Sequence, residues 1–261
     1  MMPTLCLLLF VIYSLGDKLH NFVAGVFIPQ YHYPYAAVIS VLFLNLLHLL
    51  GTVSLHSYSR VLGEKLLVPS ICSSIYGVLS MWAKANSSNS GLFPLVLPLL
   101  TLFTMVLSFL LNLQSPLSTL ISVLISFFHG VSSVDFLEYI YAPLALILFC
   151  VSLIWLAKVS EVERQHPLVA QASVFDIYYA HLVNQSGVLG LLWLLHSDNP
   201  WCVLSQGSWH SLLFHGYLAA ILLLGMVLNF FVGITVLCFS PVVAALLHSA
   251  YPLALFFLQF I

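Results

Sequence analysis

The stretch QASVFDIYYAHLVNQSG at 171–187 sits inside an apolar run from 168 to 195 that is long enough for a membrane-crossing helix, yet it carries Asp176, Tyr178, Tyr179, His181 and Asn184. At 100° per residue, Asp176, Ala180, Asn184 and His181 fall within one arc of about 140°. Ser173 and Gly187 lie inside that arc, Tyr179 flanks it on the Asp176 side and Tyr178 on the His181 side. An ionisable group in hydrocarbon costs about 2.5–3.5 kcal/mol on insertion scales, so such a face is expected to look into a cavity or onto a partner helix. Alternatively, Asp176 sits at the headgroup level near the helix start and the other polar groups are interhelical hydrogen-bond glue. Both readings stand at this point.

Composition sets the class. The chain has 261 residues, 62% hydrophobic and 5% charged, with a mean hydropathy of +1.10. A soluble domain of this size could not cover its surface with so few charges. The apolar runs are continuous rather than alternating, which excludes a β-barrel and predicts an all-α polytopic membrane protein in contact with the lipid bilayer. A net charge of −2 with six Lys and Arg leaves no footprint for nucleic acid. The five cysteines, Cys6, Cys72, Cys150, Cys202 and Cys238, are scattered and read as small buried residues rather than a disulfide framework or zinc site.

Spans are expected at roughly 4–28, 36–55, 67–84, 92–113, 115–130, 139–158, 168–195, 211–236 and 240–261. That makes about nine transmembrane helices in a single domain over 1–261. The first is read as a span rather than a removed signal peptide, since no Lys or Arg precedes it and no small-residue cleavage site follows. The links between spans are short, such as HSYSRVLGEKLL at 56–67 and KVSEVERQHP at 158–167. Arg60, Lys65, Lys158 and Arg164 fall on one side and Lys84 on the other, so the positive-inside rule places the N-terminus in the cytosol. The sequon at Asn86 falls on the opposite, lumenal side.

Within the first span, Asp17 and Lys18 project about 100° apart and cannot simply neutralise each other. Either each meets a partner on another helix, or the segment kinks at Gly16 and the pair faces water. His48, His129, His215 and His248 are single histidines on apolar helices, each expected to be a satisfied interhelical group rather than a ligand. No zinc-protease, nucleophile-elbow, phosphate-loop or CxxC pattern appears. Gln185-Ser186-Gly187 lacks the preceding glycine of a serine-protease motif. No enzyme and no cofactor or metal is therefore expected.

Several short segments, in order, point further: PQYHYPY at 29–35, RVLG at 60–63 followed by Val68 and Pro69, LSMW at 79–82, LPLLT at 97–101, DFLEY at 135–139, HPL at 166–168, and Phe175 with Tyr178 and Tyr179. Their order and spacing resemble the nucleotide-sugar transporters of solute carrier family 35, closest to the branch that carries UDP-sugars. The resemblance implies a drug/metabolite transporter-like bundle of ten helices in two inverted five-helix repeats, here 1–130 and an incomplete 131–261 that lacks the tenth helix. It implies an antiporter of the Golgi or endoplasmic reticulum that exchanges a nucleotide sugar for a nucleoside monophosphate. Tyr178 and Tyr179 would then contact the nucleotide, His181 and Asn184 would supply hydrogen-bond donors, and Lys18 would approach the phosphates. A carrier short of a helix would expose a packing face for a homodimer.

The chain also departs from the pattern. Ala24 and Gly25 stand where the family has Asn-Lys, Pro94 and Leu95 where it has a basic pair, and Ala180 where Asn follows the Tyr-Tyr. The Asn-Ser and Lys of the family's ninth helix have no counterpart around Ser240, Pro241 or His248. Those losses are what a second expectation predicts, a non-transporting scaffold of the same fold.

Overall fold

A computed structural model of the chain describes residues 8, 10–20, 33–86, 99–111, 113, 138–165, 172–195 and 209–249. Every regular element among the described residues is a helix. They are α1 (10–20), α2 (Tyr33–Leu49), α3 (Arg60–Lys65), α4 (Leu67–Asn86), α5 (Leu99–Leu110), α6 (Glu138–Gln165), α7 (Val174–Leu194), α8 (Leu212–Cys238) and α9 (Pro241–His248). Ile140–Gln165 of α6 and the whole of α8 are long and apolar enough to cross a membrane, and Ala36–Leu49, Leu67–Ser80 and Leu99–Leu110 are shorter apolar helices. The expected span at 115–130, the sequon hydroxyl at Ser88 and most of the last expected span lie outside the described residues.

In α4 and α5 the burial pattern is inverted relative to a soluble bundle, although α6 and α7 add apolar side chains such as Leu146, Leu153 and Ile177 to the core. In α5 the buried stripe is Leu100, Thr101, Thr104 and Ser108, while Phe103, Val106, Phe109 and Leu110 are exposed. In α4, Ser70, Ser73 and Ser74 are buried and Leu67, Val68 and Ile71 are exposed. Small hydroxyl residues inside and large apolar residues outside suit helices in lipid, where association depends on close approach and hydrogen bonds rather than on hydrophobic burial. Most of these hydroxyls are satisfied, Ser108 being buried without a partner among the described residues. Thr104 donates to the Leu100 carbonyl and lies 3.4 Å from the Cys150 sulfur, and Ser152 of α6 donates to the Pro69 carbonyl of α4 at 2.9 Å.

Packing closes a ring. α4 packs on α6, α6 on α5, α5 on α9, α9 on α8, α8 on α2, α2 on α7, and α7 back on α4. α1 enters beside α8, where Gly16 brings its backbone within van der Waals reach of Leu228. It does not break at Gly16, and Lys18 is exposed while Asp17 is half-buried.

Sequence signals set the helix ends. Gly51 takes φ +71° just after α2, the left-handed turn that ends a helix, and its N–H reaches the His48 carbonyl. Ser240 caps α9 by accepting from the Val243 N–H, and Pro241 occupies the first helical position, where no donor is needed. Two boundaries differ from expectation. α6 runs to Gln165, past the charges at 158–164, because Lys158 pairs with Glu161 at 3.1 Å and Arg164 donates to the Leu237 carbonyl at the end of α8. α3 forms within the expected link, held by the Arg60–Glu64 pair at 2.9 Å. Lys65 meets Glu163 at 2.6 Å, so both basic links lie at one end of the bundle.

At Thr104 the packing argument separates shape from hydrogen bonding. Thr104→Val keeps the volume and loses a bond internal to its own helix, so the thermal midpoint should hardly move. Thr104→Leu overfills the α5–α6 contact and should cost about 1–3 kcal/mol. Equal midpoints for the two variants would refute close packing there.

Candidate functional site

α7 begins six residues later than the hydropathy run because Ser173 and Asp176 form a capping box. Asp176 N–H donates to the Ser173 hydroxyl, and Ser173 N–H donates to the Asp176 carboxylate. The same carboxylate accepts from His56 twice, at 2.8 Å from its backbone N–H and 2.9 Å from Nδ1. His56 is 70% exposed and Asp176 8%, so the pair sits at the rim, at the end that carries the basic links.

The rest of the polar arc turns toward α3 and α4. Tyr58 donates to Asn184 Oδ1 at 2.7 Å, and Asn184 Nδ2 donates to the Gly63 carbonyl at 2.7 Å. Gly63 is required there, since a Cβ would overlap the Tyr58 hydroxyl. His181 is buried against α4. The Ser70 hydroxyl donates to the His181 carbonyl at 3.1 Å and lies 2.9 Å from Nδ1. One hydroxyl thus ties both the ring and the backbone of His181 to α4. Ser186 donates to the Leu182 carbonyl of its own helix. The stripe is therefore an interhelical seam rather than the wall of a cavity.

The two tyrosines leave in other directions. Tyr179 accepts from Asn45 Nδ2 of α2 at 3.4 Å. Tyr178, 3% exposed, lines a cavity of about 190 Å³ between α2, α7 and α8 with Ser40, Phe43, Leu44, Met226, Phe230 and Phe231. Its ring meets Phe230 edge-on at 5.8 Å and lies over Gly233, where a Cβ would collide with it. Its hydroxyl is buried and has no hydrogen-bond partner among the described residues. Ser40 donates to the Ala36 carbonyl of its own helix at 2.8 Å, and the accessible wall of the cavity is apolar.

Of the five side chains expected to share a site, Tyr178 faces this cavity, Tyr179, His181 and Asn184 face three other partners, and Lys18 is exposed on α1. Asn45, Tyr58, His56 and Ser70 were not singled out by the sequence, and neither were Tyr13 and Tyr76, which meet His248. Polarity within an apolar run could have flagged Asn45, Ser70, Tyr13 and Tyr76, whereas His56 and Tyr58 lie in a polar link with no such signal. No group of three or more His, Cys, Asp or Glu able to hold a metal occurs among the described residues. No protein-family model matches the chain, and no curated protein matches it.

A double-mutant cycle tests the seam. Tyr58→Phe and Asn184→Ala should show a coupling of about 0.5–1.5 kcal/mol in unfolding free energy. Strict additivity would mean the hydrogen bond between them adds nothing.

Proposed function

We propose that this chain is an integral membrane carrier of the nucleotide-sugar class, an antiporter of the Golgi or endoplasmic reticulum membrane that exchanges a UDP-sugar for a nucleoside monophosphate. The observation that carries this reading is the aromatic cavity between α2, α7 and α8, walled by Tyr178, Phe43, Phe230 and Phe231. α2 belongs to the first proposed repeat and α7 and α8 to the second, and carriers built from repeats bind substrate at the repeat interface.

The walls suit a base. Phe43, Phe230, Phe231 and Tyr178 offer aromatic faces and edges. At about 190 Å³ the cavity is smaller than the roughly 300–1,000 Å³ of sites that enclose drug-sized ligands, so it takes one ring. The diphosphate and sugar require it to open toward one face of the membrane, as alternating access demands. The four basic residues gathered at the Lys65–Glu163 end support a cytosolic placement of that end.

One observation favours a second reading, a non-transporting scaffold. The polar stripe of α7 is consumed by the 56–63 segment and α4, and a scaffold needs nothing more from it.

Uptake of radiolabelled nucleotide sugars into proteoliposomes preloaded with UMP or GMP separates the two, using protein first shown to be monodisperse. A carrier gives saturable, exchange-dependent uptake of a UDP-sugar. Tyr178→Leu, which removes an aromatic wall of the cavity, should raise KM about fivefold, the equivalent of about 1 kcal/mol of ring contact. Silence across the panel from folded protein would leave the scaffold reading.

A further inference from the structure

His248 ends α9, and its imidazole is held from both sides. The Tyr13 hydroxyl of α1 lies 2.9 Å from Nδ1, and the Tyr76 hydroxyl of α4 lies 2.7 Å from Nε2. Phe149 of α6 closes the pocket, 4.6 Å from the imidazole and stacked on Tyr76 at 4.2 Å. Tyr13 is 2% exposed. Asp17 follows Tyr13 by four residues, on the same face of α1. From α6 the titratable neighbour is the Cys150 thiol, near Tyr76. From α5, Thr101 reaches Ser249 at 3.2 Å, and neither titrates. α8 approaches α1 through Leu228.

The hydrogens in this cluster can be counted. A neutral imidazole has one N–H and one lone pair. One phenol therefore donates to the ring, and the other accepts from it and turns its own O–H away. Adding a proton makes both ring nitrogens donors, so both phenols must accept. The two states differ by one charge and by the direction of one phenol. Ionisable groups inside apolar helices are expensive and, where they occur, mark ion and proton paths.

We propose that Tyr13, His248 and Tyr76 form a proton-binding site that ties α1 and α4 of the first half of the chain to α9 of the second. The lone-pair nitrogen of His248 takes one proton from the aqueous phase and an N–H bond forms. The phenol that had donated to that nitrogen turns to accept. Protonation thus reverses a hydrogen bond across the junction of the two halves. In a carrier this makes exchange pH-sensitive, but the proton site stands whether or not a nucleotide sugar moves.

The test is an NMR titration of the full chain in lipid nanodiscs with ¹⁵N-labelled histidine. The resonance lost in His248→Gln identifies the residue among the 11 histidines. Should that variant fail to fold, the resonance perturbed by both Tyr13→Phe and Tyr76→Phe identifies it instead. The expected result is a titration within about pH 5–8. Its midpoint should move by about half a unit to one unit in either Phe variant. A signal flat across the range, or a midpoint that ignores both substitutions, overturns the proposal. Thermal midpoints against pH give a second measure. Loss of pH dependence in His248→Gln supports a proton site, and an equal drop at every pH marks a purely structural cluster.

Discussion

The bundle depends on the polar stripe of α7. Between helices in lipid the surrounding tails are as apolar as leucine, so hydrophobic burial cannot choose one neighbour over another. Hydrogen bonds with defined partners can. Asp176 takes two bonds from His56, Asn184 joins Tyr58 to the Gly63 carbonyl, and His181 grips Ser70. Together they fix the rotation of α7 about its axis and dock the 56–63 segment and α4 against it. Once that rotation is set, Tyr178 has only one place to go, over Gly233 and into the space shared with α2 and α8.

Small residues do the remaining positioning. Gly63 and Gly233 each lie under a tyrosine ring or hydroxyl that a methyl group would displace. Ser70, Ser74, Thr101 and Thr104 are almost fully buried and satisfy themselves on nearby carbonyls or hydroxyls. The exposed surface carries the bulk: Leu42, Leu46, Phe109, Leu191, Leu194 and Leu212. This arrangement is compatible with an integral membrane protein. The charges of the two basic links lie at one end, where Lys65 meets Glu163 and Arg164 meets the last turn of α8.

Two polar centres lie off the seam, and each joins helices from both halves of the chain. The Tyr178 cavity lies between α2, α7 and α8, and the His248 cluster between α1, α4, α6 and α9. Groups placed at such junctions feel any relative movement of the halves. The histidine with its two phenols is held by hydrogen bonds on both ring nitrogens, whereas the Tyr178 hydroxyl is buried without a partner among the described residues.

By itself the sequence determined the class, the order of most helices and the polar arc on 171–187, because hydropathy and the 3.6-residue period are local properties of the chain. It also placed the basic residues of the two links at one end. Helix ends fixed by local chemistry were legible too, as at Ser240–Pro241, whereas α3 and the extension of α6 to Gln165 were hidden by charges that pair along or between helices. What only the tertiary structure decided is the choice of partners. The arc was equally a cavity wall or a seam until Tyr58, Gly63 and Ser70 filled it, and Tyr178, outside the arc, turned out to be the residue facing a cavity. His248 read as a solitary histidine because Tyr13, its partner, lies 235 positions away. A helix sequence states which of its faces is polar, but which distant side chain meets that face is settled only when the helices have packed and every buried donor has found its acceptor.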